Sequence, residues 1–300
     1  MKIIITGSLG HISKPLTKEL LQKGHEVTVI SSKTERQKEI EFIGAKAAIG
    51  TMEDVDFLAA TFKGADVVYV MEAPGTGGSF FDQNLDIMAA HNKIANNYAQ
   101  AIRQSVVKRV VHLSSIGAHM AKGNGILAFH YNVENILKQL PIDVSIKFMR
   151  PVGFYYNMFA FIQTIKTQGA IIQNYGGDEK EPWVSPLDIA AVIAEEIEKP
   201  FEGREIRYIA SDEVSPNEVA NILGEAIGKS DLKWLVIPDD QLLNGMIAAG
   251  MNPQIAKGLE EMNASRRGGV LYQDYYNNKP TLGKIKIKDF AKEFALAYNQ

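Results

Sequence analysis

The 300-residue chain lacks cysteine altogether, which excludes disulfide bonds, a thiolate nucleophile and thiolate metal ligands. It also lacks an excess of basic residues: the formal net charge is −3, so no general positive field exists to hold nucleic acid. No apolar run approaches the roughly 18 residues that a membrane span needs. The apolar stretch at residues 2–6 is too short for a signal peptide and is typical of a strand. We therefore expect a cytoplasmic protein that contacts neither nucleic acid nor membrane.

Strand and helix patterns alternate along the first 150 residues. Apolar and β-branched runs predict strands at residues 2–6, 26–30, 45–49, 66–71, 109–114 and 143–149. Helical spacing predicts helices between them at residues 11–23, 34–43, 55–62, 81–105 and 126–138. Such alternation is typical of a parallel sheet that is covered by helices on both faces. The predicted fold class is therefore α/β, a doubly wound parallel sheet of the Rossmann type.

The alternation loosens after residue 150. The later predicted elements are a helix that starts at Ser185, a strand at 204–209, a helix at 215–228 and mainly helices from 239 onward. We divide the chain into a nucleotide-binding domain at 1–150 and a smaller lobe at 151–300 on the substrate side. This lobe is expected to be mixed α/β, mostly helical, and interleaved with the first domain.

A glycine loop follows the first predicted strand. Gly7 permits a tight turn, and Gly10 lets a pyrophosphate approach the backbone where the next helix offers free N–H groups. The third position of the motif, usually glycine, is Ser13, which is small enough to keep the match. A tight turn without a ligand is the alternative. The loop predicts that a dinucleotide is bound by Gly7, Ser8, Leu9, Gly10, His11 and Ile12.

The end of the second strand predicts which dinucleotide binds. An NAD site usually carries an acid there, whereas an NADP site offers cations for the 2′-phosphate. No acid ends this strand, and the nearest carboxylate, Glu35, falls inside the following helix. Ordinary charges at a solvated helix start are the alternative. We expect NADP(H) as the cofactor, bound here by Ser31, Ser32, Lys33 and Arg36.

Four further stretches accompany the glycine loop: RVVHLSSIGA, MRPVGFYYNMF, PWVSPLDIA and ASDEVSPNEVANILGEAIGK. With them the chain resembles the NmrA-like family of atypical short-chain dehydrogenase/reductase proteins over nearly its whole length. Some members of that family resemble NAD(P)H-dependent quinone or azo reductases. Others are NADP-binding regulators that sense redox state without catalysis. The resemblance identifies the family well and its substrates poorly.

Further cofactor contacts follow from the resemblance. Ser114 and Ser115 end the fifth strand, where the family places residues against the cofactor, although simple strand termination is the alternative. Residues 71–78 are expected to pass under the ribose and pyrophosphate. The remaining expected contacts are Thr51, Met52, Glu72, Ala73, Pro74, His130, Pro151, Gly153 and Phe154.

The resemblance also sets the register of the helix at 126–138. Related extended reductases carry Tyr-x-x-x-Lys-x-x-x-Glu on it, and NmrA-like proteins usually keep the glutamate. Matching it to Glu134 puts His130 at the lysine position and Ile126 at the tyrosine position, with Tyr131 rotated by about 100° from His130. The usual tyrosine acid is then missing, and His130 and Glu134 are the candidate catalytic residues. A structural histidine, hydrogen-bonded to Glu134 or to a ribose hydroxyl, is the alternative.

An aromatic stretch at residues 153–162 follows the strand that should end near the nicotinamide. It predicts either a flat apolar pocket or part of the core, and periodicity does not decide between them. The candidate substrate contacts are Phe80, Tyr155, Met158 and Phe159. The histidines show no spacing typical of metal ligands, and we expect no metal site.

A missing proton donor matters for a simple ketone, whose reduction gives a strongly basic alkoxide. It matters less for a quinone, whose reduced form is a delocalised anion and whose reduction mainly requires stacking on the nicotinamide. The sequence therefore favours an NADPH-dependent oxidoreductase that acts on a small, quinone-like acceptor. A non-catalytic NADP sensor is the main alternative, and a homodimer or a regulatory protein partner stays open. A nucleotide-sugar epimerase is disfavoured because that chemistry needs the missing tyrosine and lysine.

Overall fold

Seven parallel strands form the central sheet of the computed structural model, which describes residues 1–73 and 79–300. They are β1 (Lys2–Ile5), β2 (Glu26–Ser31), β3 (Lys46–Ile49), β4 (Val67–Val70), β5 (Arg109–Leu113), β6 (Ser145–Pro151) and β10 (Arg204–Ile209). Shorter strands outside this sheet are β7 (Gly153–Phe154), β8 (Ala170–Gln173), β9 (Glu181–Val184), β11 (Asp212–Val214) and β12 (Lys233–Val236). The order β10–β6–β5–β4–β1–β2–β3 reverses its direction between β4 and β1. Ligands of such sheets bind beyond the carboxyl ends of the strands at this reversal.

Helices connect the strands throughout the described residues. They are α1 (Ser13–Gln22), α2 (Gln37–Phe42), α3 (Val55–Phe62), α4 (Ile87–Ser105), α5 (Ala128–Lys138), α6 (Ile162–Gln168), α7 (Pro186–Glu198), α8 (Pro216–Ala226), α9 (Asp239–Ala248), α10 (Pro253–Arg267), α11 (Gln273–Asn277) and α12 (Ile287–Tyr298). Short 3₁₀ helices cover Thr34–Arg36, Gly125–Leu127, Tyr155–Phe161 and Val270–Tyr272. Within residues 1–73 and 79–300, no helix is long and apolar enough to cross a membrane.

Both faces of the central sheet are buried, as the alternating residues of β1 demonstrate. Ile3 and Ile5 belong to a core that they share with α1 and α7. Ile4 points to the opposite face and packs in a second core with α3, α4 and α5. Side chains of a strand alternate between the two faces, so a continuous apolar strand requires helices on both sides. The predicted doubly wound α/β fold is confirmed.

A third core belongs to the smaller lobe. It joins α8 and α12 to the 3₁₀ helix Tyr155–Phe161 and to the two-stranded sheet of β8 and β12. Two elements beyond residue 150 nevertheless return to the central sheet. Strand β10 pairs with β6, and α7 packs against α1. Elements beyond residue 150 therefore pack on the central sheet as well as in a core of their own, and the division of the chain at residue 150 stays a prediction.

Local caps decide where several helices begin. Ser185 caps α7 by accepting a hydrogen bond from the Leu187 N–H, as its sequence predicts. The long helix predicted from residue 81 starts instead at Ile87, because the Asp86 carboxylate accepts a hydrogen bond from the Ala89 N–H at 2.9 Å. The stretch before it therefore forms a loop, and Phe81 is exposed in that loop.

Candidate functional site

The loop between β1 and α1 has the backbone shape of a phosphate-binding turn. Gly7 lies in the left-handed region at φ +84°, and a Cβ there would be 2.7 Å from Ser13 Oγ and 3.0 Å from Met71 Sδ. Ser8 follows at φ +54°, and its N–H donates to the Ile30 carbonyl at the end of β2. The turn is therefore held between two strands, and Gly7 tolerates no side chain.

Ser13 replaces the third glycine of the motif without opening the loop. Its buried hydroxyl donates to the Thr6 carbonyl at 2.9 Å, which ties the first turn of α1 to the end of β1. The Thr6 hydroxyl in turn accepts a hydrogen bond from the Met71 N–H after β4. A glycine allows close contact between helix and strand because it is small. Ser13 achieves the same contact through its hydrogen bond.

The N-terminus of α1 has no cap from the described chain. No side chain caps Ile12, and the N–H groups of His11, Ile12 and Ser13 have no acceptor among residues 1–73 and 79–300. Leu9 and Ile12 bury their side chains in the core beneath α1, so they can offer a ligand only their backbone. Free N–H groups at the positive end of a helix dipole are suited to bind an anion.

A cleft of about 140 Å³ opens beside this loop, at the carboxyl ends of β1, β2 and β3. Seven of the expected cofactor contacts line it together: Gly7, Ser8, Ser31, Ser32, Thr51, Met52 and Ala73. The Ser8 hydroxyl donates to Ser31 Oγ at 2.9 Å, so two of the lining residues are joined through their side chains. The remaining lining residues are Ile30, Gly50, Glu53 and Ile94. The cleft has the polar and apolar surfaces that an adenosine would need.

Cations lie on α1 and in the segment that leads into α2, beside the cleft. Glu39 accepts from Lys14 Nζ at 2.8 Å and from Arg36 Nη1 at 2.7 Å, so one carboxylate holds both cations. Lys14 and Arg36 keep the pKa of the Glu39 carboxyl below its ordinary value. Lys33 is exposed just after Ser32. The sequence pointed to Lys33 and Arg36, whereas Lys14 reaches this cluster only through the packing of α1 against α2.

Glu134 lies on α5 in a buried ion pair with Arg150. Its two carboxylate oxygens accept from Arg150 Nε and Nη2, and also from Ser114 Oγ at 2.6 Å and Lys138 Nζ at 3.0 Å. Burial raises the pKa of Glu134, but these partners outweigh it and leave the pKa below its ordinary value. A carboxylate bound on both oxygens is poorly placed to exchange protons. Both Glu134 and Ser114 thus join α5 to the sheet, and their expected catalytic and cofactor-binding roles stay predictions.

Ile126, which the resemblance places at the tyrosine position of the related reductases, is buried in a small core with Leu85 and Ile255. Helix α10 approaches so closely that a Cβ at Gly258 would lie 3.2 Å from the Ile126 Cβ. Ile126 therefore serves a helix contact, and the register that sets Tyr131 aside stays a prediction.

His130 lies near other histidines, one turn before Glu134 on α5. Its ring stands 4.0 Å from that of Phe129, which stacks on His91 at 3.8 Å between ring centroids. Burial, with the nearby His112, His91 and Arg150, lowers the pKa of His130 well below its ordinary value, so the ring is neutral at pH 7. Its Nδ1 is buried without a hydrogen-bond partner among the described residues. The hydrogen bond to Glu134 that the sequence left open does not form.

Most of the aromatic stretch forms a 3₁₀ helix, so its side chains point in different directions. Three residues per turn put Tyr155 and Met158 on the inner face, where both are buried in the core of the smaller lobe. Phe159 packs there too, against Phe290 and Phe294. All three residues pack in this core, and their expected place in a substrate wall stays a prediction. Tyr156 turns the other way, with its ring 5.0 Å from that of His11 in the glycine loop.

The other expected contacts are dispersed around this centre. Phe154 is half-buried, and its ring centroid lies 5.2 Å from that of Tyr156. Phe80 belongs to a loop whose backbone accepts a hydrogen bond from the Asn252 N–H of the smaller lobe. Pro151 is buried in β6, and Ser115 and Gly153 are partly exposed. Pro74 lies outside the described residues. Over residues 1–73 and 79–300, no group of three or more His, Asp or Glu side chains is placed to hold a metal ion.

Sequence reasoning missed Tyr156, Arg150 and His112. A period of three residues, typical of a 3₁₀ helix, would have placed Tyr156 on a different face from Tyr155 and Met158. Arg150 and His112 gave no local signal, because their partners Glu134 and Glu72 are 16 and 40 residues away. The pairing of β4 with β5 brings Glu72 to His112, and the packing of α5 against β6 brings Glu134 to Arg150.

Known proteins share this chain's sequence features and architecture. An NAD(P)H azoreductase of Xenophilus azovorans is 23% identical over 263 residues, which cover 87% of this chain and 86% of that protein. A crystal structure of an NADPH-dependent quinone oxidoreductase from Escherichia coli, complexed with NADPH, matches with a TM-score of 0.80 at 16% identity, covering 97% and 99% of the two chains. A nucleoside-diphosphate-sugar epimerase from Staphylococcus aureus matches with a TM-score of 0.78 at 15% identity, covering 97% and 100%. The two structural likenesses show the fold alone.

The family is shown by the sequence itself. The model of the NmrA-like family matches residues 1–272, which includes the glycine loop, the sheet, α5 and most of the smaller lobe. The chain belongs to the NmrA-like family.

Proposed function

We propose that this protein is an NADPH-dependent oxidoreductase that transfers hydride to a flat, apolar acceptor such as a quinone. The observation that carries the proposal is the uncapped N-terminus of α1 beside a cleft lined by Ser31 and Ser32, together with the stack of Tyr156 on His11 of the glycine loop. The glycine loop would thus contribute both to a dinucleotide site and to a site for an aromatic ring.

The residues present fit a dinucleotide. The free N–H groups at the start of α1 would hold the pyrophosphate, and Gly7 keeps the approach open. Ser31, Ser32, Lys33 and Arg36 would hold a 2′-phosphate, although Arg36 must share or leave Glu39 to do so. A bound nicotinamide supplies the hydride. One relative is named an NAD(P)H azoreductase, and one protein of similar fold is named an NADPH-dependent quinone oxidoreductase. Both names support NADPH as the cofactor.

The acceptor would stack near Tyr156 and Phe154. Both rings are partly exposed, and the Tyr156 ring is packed by His11 on its side toward the glycine loop. Burial raises the pKa of Tyr156, so its hydroxyl stays neutral at pH 7. Reduction of a quinone takes one hydride and one proton, and solvent can supply the proton to the delocalised anion. The loss of the tyrosine acid at Ile126 is compatible with this acceptor class and disfavours sugar epimerisation.

The test is NADPH oxidation by the purified protein, with and without a panel of quinones, azo dyes and small aldehydes. A small quinone should accelerate NADPH oxidation well above the background rate. Tight NADPH binding without turnover on any acceptor would contradict the enzyme and favour the alternative, a non-catalytic NADP(H)-sensing regulator. The missing proton donor at Ile126 is the observation that keeps this alternative. A cytoplasmic location and a homodimer or protein partner remain predictions.

A further inference from the structure

The small parallel sheet of the smaller lobe has an open edge. Strand β12 pairs with β8 on one side, and this sheet contains no further strand among residues 1–73 and 79–300. A sheet edge presents unpaired N–H and C=O groups, which can bind the strand of another chain. Natural edges are commonly protected by charged side chains or by a covering element.

An edge of the central sheet is protected by charge, whereas the edge of β12 is not. The outer strand β10 carries two arginines and a glutamate within Arg204–Ile209. On β12 the side chains of Leu235 and Val236 are 48% and 56% exposed. A sheet edge with exposed apolar side chains is the kind that associates with another strand.

The backbone of β12 fixes which groups face the open edge. The Ile237 N–H donates to the Gln173 carbonyl of β8 at 2.9 Å. Since the backbone groups of alternate residues point to the same side of a strand, those of Leu235 also face β8. The N–H and C=O groups of Trp234 and Val236 therefore point outward.

A second copy of β12 matches this pattern. Antiparallel pairing about a two-fold axis at Leu235 puts Trp234 of each copy opposite Val236 of the other, and each such pair exchanges two backbone hydrogen bonds. Leu235 then lies opposite Leu235 of the second copy, at about 4.5–5.5 Å between the Cβ atoms. Its register partner on β8 is the half-buried Ile172. The pairing thus gives one four-stranded sheet with a continuous apolar strip on the face opposite Trp234.

The charges at the ends of this pairing are complementary. Lys233 of one copy comes diagonally opposite Asp239 of the other, within reach of a long side chain. Asp231 approaches the same end, but Arg267 already binds Asp239 at 2.7 Å, so each end combines two cations with two carboxylates. A paired segment of about five residues is about 17 Å long and covers less than the about 800 Å² per partner of a standard interface. The dimer is therefore expected to have a Kd on the order of 10 μM.

We propose that β12 pairs with β12 of a second copy, so that the protein forms a weak, symmetric homodimer through this edge. A two-fold interface uses the same surface on both copies, and a strand that complements itself meets this condition. The inference is independent of the NADPH site, because β12 belongs to the smaller lobe and does not line the cleft beside the glycine loop.

Sedimentation velocity of the full chain at about 1 to 100 μM measures the association. Val236→Pro removes an outward N–H and none of the bonds to β8, since proline is tolerated on an edge strand where its nitrogen faces solvent. This variant should raise the Kd of the dimer at least about tenfold. Val236→Thr keeps the N–H and the preference for a strand, and its Kd should stay within about threefold of the parent.

Leu235→Lys tests the position of the two-fold axis. It places two lysines directly opposite each other, which destabilises a strand pair, and should raise the Kd about tenfold or more. Ile142→Lys is the matched control, because Ile142 is 87% exposed in the turn before β6 of the nucleotide-binding domain. It adds the same charge away from β12 and should leave the Kd within about twofold of the parent.

A monomer at every concentration would overturn the proposal. A dimer that Val236→Pro and Leu235→Lys leave unchanged would overturn it as well, since the contact would then lie elsewhere. If circular dichroism shows that Val236→Pro is unfolded, the comparison of Leu235→Lys with Ile142→Lys decides, because both change exposed side chains. Equal weakening by these two lysines would show a general effect of charge and would refute the pairing of β12.

Discussion

Arg150 binds Glu134 through two parallel hydrogen bonds, from Nε to Oε1 at 2.9 Å and from Nη2 to Oε2 at 2.7 Å, and both side chains are buried. This geometry is the bidentate pairing in which arginine and carboxylate bind most strongly. It fixes α5 against β6 and so sets the position of His130, one turn earlier on the helix. Glu134 therefore stabilises the packing of α5 on the sheet.

Glu134→Gln is expected to destabilise the protein. Removing one partner of a buried ion pair leaves the other charge uncompensated, at a cost of about 3 kcal/mol. Asp274 still binds Arg150 at 3.0 Å, which limits the loss. Urea unfolding would measure it, with Lys138→Gln as the control, because Lys138 reaches Glu134 from the exposed side and should cost about 0.5 kcal/mol or less. Equal effects of the two variants would show that Arg150 needs no carboxylate here.

Stability should decline as the pH falls below 6.5. Burial lowers the pKa of His130 well below 6.5, its ordinary value, so the unfolded chain binds a proton in this range that the folded chain does not. Protonation then favours unfolding, and the effect is absent well above pH 6.5. Thermal melting between pH 7.5 and 5.5 would record the decline. His130→Leu should make the profile flatter, and a profile as steep as that of the parent would assign the proton to another group.

The two neighbours on α5 should differ in their effect on turnover. Tyr131→Phe removes a hydroxyl that makes no hydrogen bond within the described residues, and quinone reduction should stay within about threefold of the parent. His130→Ala removes an imidazole ring that is expected to contact the cofactor, and kcat/KM should fall about tenfold. Steady-state kinetics with one quinone decides between them. Loss of activity in Tyr131→Phe with a silent His130→Ala would reverse the register of the helix.

Cofactor preference should depend on the cations after β2. NADPH is expected to bind more tightly than NADH, and Lys33→Ala with Arg36→Ala should reduce the difference because both cations would serve the 2′-phosphate. Lys38→Ala is the control, since Lys38 is an exposed cation on α2 without an ion pair among the described residues. Fluorescence titration with both cofactors measures the preference. Tighter or equal binding of NADH by the unmodified protein would contradict the assignment.

Tyr156 and Met158 should separate acceptor binding from folding. Tyr156→Leu removes a ring beside the glycine loop and should raise the KM for a quinone about fivefold with little change in the melting temperature. Met158→Ala opens a cavity in a fully buried site and should cost about 2–4 kcal/mol of stability, with the KM preserved in the folded fraction. If Met158→Ala raised the KM and Tyr156→Leu did not, the acceptor would lie on the other face of the 3₁₀ helix.

The sequence alone was sufficient for the features that depend on neighbouring residues. The turn at Gly7, the cap at Ser185 and the alternating strands follow from backbone sterics and side-chain periodicity, which operate over a few residues. The cluster of serines at Ser31 and Ser32 could be placed in the cleft for the same reason, because parallel strands end at one edge of a sheet.

Tertiary structure decided which side chains meet across long stretches of chain. Glu134 with Arg150, Glu72 with His112, and His11 with Tyr156 are pairs whose contact depends on strand order and helix packing. An isolated sequence contains the chemistry of each residue but not its partner, and burial changes that chemistry. The same glutamate can be a proton donor or a structural anion, and for Glu134 the choice depends on Arg150, which the fold places against it.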